Sequence, residues 1–95
     1  MRESRLQADC IAWSKSQGLL PVNIHGDGYT NKGFPDLLVF GNGKVVAVEL
    51  KCDSGYLPQP DQIVWRNRFI KVGIPHAFLK SLETYKEFIR KELLQ

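Results

Sequence analysis

The chain is expected to fold as one α/β domain of the α+β kind, in the order α-β-β-β-α-β-α, with helices packed on a small mixed sheet. Two observations lead there. Asn42-Gly43 stands between the apolar runs 37–40 and 44–50, and Asn-Gly in that setting signals a two-residue hairpin, because a type I′ turn needs φ > 0 at both central residues. The two runs are also nearly continuous in apolar residues rather than alternating, as expected of central strands covered on both faces by other layers. A length of 95 residues suits a single domain, 1–95, with an adequate but thin core that self-association would help.

The elements follow in order. Residues 2–17 read as a helix, with Leu6, Cys10, Ile11 and Trp13 at helical spacing and Gly18 as the stop. Glu3 shares the side of Leu6 and Cys10, the side that turns inward, although an acid in a first turn also suits the helix dipole. Residues 19–25 form a short strand, with Pro21 near its start, where a missing N–H is tolerated. The glycine-rich stretch 26–33 then leads into the hairpin. It lacks the Gly-Lys-Ser/Thr spacing of a P-loop, and it reads either as a connector or as a substrate-contact loop with Tyr29 and Lys32 as its reaching groups. His25 at the strand end is a weak ligand candidate. After a turn at 52–56, Pro60 fits the first position of a helix running to about residue 72, stopped by Gly73. Its apolar residues Ile63, Trp65, Phe69, Ile70 and Val72 are broader than one stripe, so it is expected to pack against the sheet or a partner chain. Trp13, Trp65 and Phe69 are favoured as core over base-stacking groups. Residues 74–79 form a last strand, and Ser81 caps a final amphipathic helix ending near residue 93.

Counting outward from the turn pairs Gly41 with Lys44 and Phe40 with Val45, until Asp36 falls opposite Glu49. Facing Cβ atoms in antiparallel strands lie about 4.5–5.5 Å apart, where like charges repel unless a cation sits between them. Lys51, two residues beyond Glu49, projects from the same side. An ionised carboxylate inside Val45-Val46-Ala47-Val48-Glu49-Leu50 is costly unless paired or bound to metal. A hairpin that gathers Asp36, Glu49 and Lys51 invites a divalent metal and a reacting anion. A structural Glu49–Lys51 pair is the competing account. Gln62, in the first turn of the second helix, can point toward this end. Arg66, four residues on, shares that side and is the better candidate for a phosphate contact.

Composition narrows the class. Hydrophobic residues at 43% and charged residues at 24% are ordinary for a soluble globular domain, and no apolar run approaches membrane-spanning length. Without a recognisable signal peptide, a cytoplasmic location is expected. Cys10 and Cys52 have neither zinc-site spacing nor His companions and read as free thiols. The net charge of +3 and pI near 9.0 favour polyanionic partners without requiring one.

Taken together, Glu3 on the first helix, Gly33-Phe34-Pro35-Asp36, Glu49-Leu50-Lys51 and the helix-borne Gln62 resemble the pattern of the VRR-NUC (virus-type replication-repair nuclease) family within the PD-(D/E)XK nuclease superfamily. The chain departs from that pattern between Gly55 and Gln62, where it carries one extra residue and a Gln in place of a capping Ser. The resemblance covers nearly the whole chain and implies a restriction-endonuclease-like core. It implies a Mg²⁺- or Mn²⁺-dependent phosphodiesterase acting on DNA, including branched forms such as Holliday junctions in DNA repair, and a homodimer. It further implies metal ligation by Glu3, Asp36, Glu49 and the Leu50 backbone carbonyl, with Asp36, Glu49, Lys51 and Gln62 as the catalytic set. Two rivals stand beside it: a non-catalytic nucleic-acid-binding domain with a vestigial acidic site, and a structural or interaction module in which Glu49 and Lys51 merely pair.

Overall fold

In the computed structural model of the chain, residues 3–24, 32–52 and 57–95 are described. The hairpin forms with the register counted from its turn. Asn42 and Gly43 take φ values of 52° and 76°, and strands β2 (Leu37–Gly41) and β3 (Lys44–Leu50) pair antiparallel from Gly41 with Lys44 out to Leu37 with Val48. Strand β1 (Leu20–Asn23) adds antiparallel to β2, as an edge strand that tolerates Pro21. Strand β4 (His76–Leu79) adds parallel to the far side of β3. The result is a mixed four-stranded sheet in the order β1-β2-β3-β4.

Alternation along β3 divides the sheet into two unlike faces. Val46, Val48 and Leu50 join Leu37 and Val39 against helices α1 (Glu3–Ser16) and α3 (Leu82–Leu93), which contribute Leu6, Cys10, Tyr85, Ile89 and Leu93. Every one of these is 0% or 1% exposed. Within that core the Ser14 and Tyr85 hydroxyls share a 2.6 Å hydrogen bond, which satisfies two buried polar groups at once. Helix α3 starts at the expected cap, with Ser81 Oγ accepting from Thr84 N at 3.1 Å. At its other end the Leu93 carbonyl accepts from Asn42 Nδ2 of the hairpin turn.

The second face carries α2 (Pro60–Lys71). Phe69 meets His76 at 6.2 Å, and His76 meets Phe78 at 4.9 Å, between ring centroids. Because Ala47 pairs with His76 and Glu49 with Phe78, Glu49 belongs to this face. Two expectations are corrected here. The hairpin strands are not covered throughout on both sides, since the cross-strand pair Leu20 and Phe40 is 62% and 38% exposed. Nor is α2 deeply packed against the sheet: none of its residues is buried, and Val64 and Ile70 are exposed in the single chain. One three-turn helix seated over β4 is too narrow to reach β1 and β2.

Candidate functional site

Asp36 stands one residue before β2, which places it opposite Glu49 in the continued register. Two backbone contacts hold it there. Its carbonyl accepts from Ile24 N at 2.9 Å, and its carboxylate Oδ2 accepts from Leu50 N at 2.8 Å. A side chain thus takes the place of a ladder acceptor where β2 runs out. On the other side of β3, Lys51 N donates to Leu79 O at 3.0 Å. Residues 49–51 are therefore fixed from both flanks.

Glu49 is only 3% exposed. Burial pushes its carboxyl up to about 9; the charge of Asp36 and a hydrogen bond with the Asp36 side chain add to the rise, Lys51 opposes it, and Glu3 adds a little. A proton kept on Glu49 removes the repulsion that two abutting carboxylates would otherwise suffer. Glu49 Oε2 is buried and has no hydrogen-bond partner. Lys51 Nζ lies 3.7 Å from Glu3 Oε1, which brings the first turn of α1 to the end of β3. Asp36, Glu49, Lys51 and Glu3 are thus brought together from three elements.

The remaining expected residues sit differently. Gln62 Oε1 accepts from Gln59 N at 2.9 Å, so its oxygen caps its own helix. That contact starts α2 at Pro60 and offsets the missing Ser. Gly33 has φ +87°, and a Cβ there would lie 2.6 Å from the Asp61 carbonyl carbon. Only glycine lets the Gly33-Phe34-Pro35-Asp36 segment lie directly on the first turn of α2. Lys32 Nζ is 3.8 Å from Asp61 Oδ2 across the same seam and otherwise projects into solvent. Arg66 donates to Asn67 Oδ1 through Nε and Nη2 at 3.3 and 3.2 Å. Tyr29 and His25 lie outside the described residues.

The donor chemistry suits a hard divalent cation: two adjoining carboxyls, one holding a proton that an ion would displace, and one buried oxygen without a partner. Among the described residues, however, no group of three or more His, Cys, Asp or Glu residues is arranged to hold a metal.

Some groups carry no sequence signal of their role. His76 follows Pro75 as an ordinary strand residue, yet both its ring nitrogens are buried without a hydrogen-bond partner. Burial and the nearby Arg66 lower its pKa to about 4. Trp65, expected in the core, is only partly covered. Its ring carries the Arg68 guanidinium at 4.8 Å.

No family model matches the chain, and no curated protein matches it. Solved structures do. One described as "VRR_NUC domain" is 28% identical, with a TM-score of 0.79, over 95% of this chain and 96% of that one. Another, "VRR_NUC domain protein", is 17% identical, with a TM-score of 0.76, over 96% of this chain and 87% of the other. From the first helix to the last, the chain has the fold of a VRR_NUC domain.

Proposed function

We propose that this domain is a nuclease that hydrolyses phosphodiester bonds in DNA with the help of Mg²⁺ or Mn²⁺, in the manner of PD-(D/E)XK enzymes. The observation that carries the reading is the pairing of half-buried Asp36 with buried Glu49, whose carboxyl is raised and whose Oε2 has no partner. The likeness to VRR_NUC domains over nearly the whole chain supports it. Asp36 and Glu49 would hold the ion, with the Leu50 carbonyl and Glu3 completing the set directly or through water. When bound, such an ion acidifies a coordinated water and offsets charge on the reacting phosphate.

The chain's own residues supply the rest. Lys51 would orient the attacking water, assist its deprotonation and place positive charge beside the phosphate. Gln62 would position that water or Lys51. Lys32, Arg66 and Tyr29 would contact the backbone of the strand being cut. Branched DNA such as a four-way junction is the proposed substrate, and a symmetric homodimer would bring one site to each of two strands.

The test is cleavage of linear, flapped and four-way DNA with and without Mg²⁺ or Mn²⁺. Asp36→Asn and Lys51→Ala should each abolish metal-dependent cutting. If either cuts as fast as the parent, the catalytic assignment is wrong. That no group of three or more ligand side chains is arranged for a metal among the described residues favours one second reading, a nucleic-acid-binding domain with a vestigial acidic site. A metal titration separates the two, because such a binder holds DNA equally well in a chelator and cuts nothing.

A further inference from the structure

Helix α2 does more than cap one side of the sheet. Trp65, Arg68 and Phe69 recur along one side of it, and Val72 is its C-cap. With Ile74 they line an open cavity of about 220 Å³, below the size range of sites for drug-sized ligands and on the scale of one planar ring system. The Arg68 guanidinium lies over the Trp65 ring at 4.8 Å. Trp65 is held from behind, with Nε1 donating to Lys32 O at 3.1 Å and Phe34 edge-on to its ring at 5.0 Å. Both anchors belong to the segment that ends at Asp36. The ring is thus tied to the segment that carries Asp36, although no residue of α2 is fully buried.

The charge on this half of α2 has one sign. Arg66, Arg68 and Lys71 crowd the second half of α2, while its one acid, Asp61, lies in the first turn beside Lys32. A planar cation stacked on an indole beside an apolar cleft, amid further cations, suits a nucleobase whose phosphates run along the helix. A base inside a duplex is already stacked on its neighbours and is not free to enter.

We propose that the Trp65–Arg68 cavity takes one unpaired nucleobase of the DNA strand presented to Asp36 and Glu49. The proposal rests on the nuclease reading and adds to it a source of preference for DNA that is not fully paired. Base–aromatic stacking of this kind is worth roughly 5- to 160-fold in affinity per base.

The experiment uses the full chain carrying Asp36→Asn, in a chelator, so that binding is read without cleavage. Fluorescence anisotropy compares single-stranded and flapped DNA with a linear duplex, and 2-aminopurine at the unpaired positions reports stacking. Arg68 is exposed, so its replacement leaves the core intact. Arg68→Ala should lower affinity for single-stranded and flapped DNA about tenfold, with a much smaller change for duplex, and should abolish the 2-aminopurine signal. Arg68→Lys keeps the charge but loses the planar cation, so it should behave like Arg68→Ala on unpaired DNA. Equal losses on duplex and unpaired DNA, or full retention by Arg68→Lys, would reduce Arg68 to a phosphate contact and overturn the proposal. A change in oligomeric mass with no change in DNA affinity would overturn it in favour of a second copy of the chain on this surface. Failure of the nuclease reading looks different: the parent protein would cut nothing with either metal while still favouring unpaired bases in an Arg68-dependent way.

Discussion

Replacing Glu49 with Gln should stabilise the metal-free protein at neutral pH and above, and by more as the pH rises. The folded protein holds a proton on Glu49 up to about pH 9, whereas the unfolded chain releases it near 4.5. Between those values the folded state binds more protons, so stability falls as pH rises, by at most about 1.4 kcal/mol per pH unit. At pH 7 the accumulated ceiling is about 3 kcal/mol. Gln carries no such burden, but it leaves an N–H where Oε2 lacks a partner, at a cost of about 1 kcal/mol. The net gain expected at pH 7 is about 2 kcal/mol. Urea denaturation in a chelator at pH 5, 7 and 8.5 should show the gap between variant and parent widening steadily. Adding Mg²⁺ or Mn²⁺ at pH 8.5 should raise the parent's stability and leave Glu49→Gln unmoved. A gap that is constant with pH, or a variant less stable than the parent throughout, would refute the reasoning and favour a structural Glu49–Lys51 pair.

Other positions test the frame around the site. Gly33→Ala forces a side chain into φ +87° and onto the Asp61 backbone, and should cost at least about 2 kcal/mol, a fall in Tm on the order of 10 °C. His76 is neutral when folded down to about pH 4 but charges near 6.5 when unfolded, so it contributes stability that is lost as pH falls through that window. His76→Phe should flatten this loss and gain about 1–2 kcal/mol at neutral pH by removing two unpartnered nitrogens, as read by chemical denaturation across pH 4–7. Tyr85→Phe leaves the Ser14 hydroxyl buried without its partner and should cost about 1–3 kcal/mol in the same assay.

The acidic pair was legible in the sequence because a hairpin with a two-residue turn has only one register. Asn42-Gly43 therefore determines every pairing out to Asp36 and Glu49. Pro60 and Ser81 were legible as helix starts because capping is local chemistry. Glu3 was placed on the inward side by periodicity, but periodicity cannot say that Lys51 would reach it. The behaviour of α2 was beyond local reading altogether. Ile63, Trp65, Phe69 and Ile70 have the composition of a core stripe, and only the width of the sheet beneath decides how far one helix can cover them. His76 was invisible for the same reason, since its isolation comes from Phe69 and Phe78 closing around it. Gln62 was found by position, yet its oxygen is taken by a cap that propensity alone does not separate from a reaching side chain.

The hydrogen bond from Leu50 N to Asp36 Oδ2 makes one backbone proton answerable to a carboxylate. Whatever draws that oxygen away, whether an ion or a second proton, must loosen the last rung between the two strands. The amide of Leu50 is thus a natural reporter: its exchange rate with solvent and its resonance position read the occupancy of the acidic pair without any label or substrate. The same link runs in reverse, because fraying at that rung also releases the carboxylate, so local opening of the hairpin and ligand capture draw on a single equilibrium.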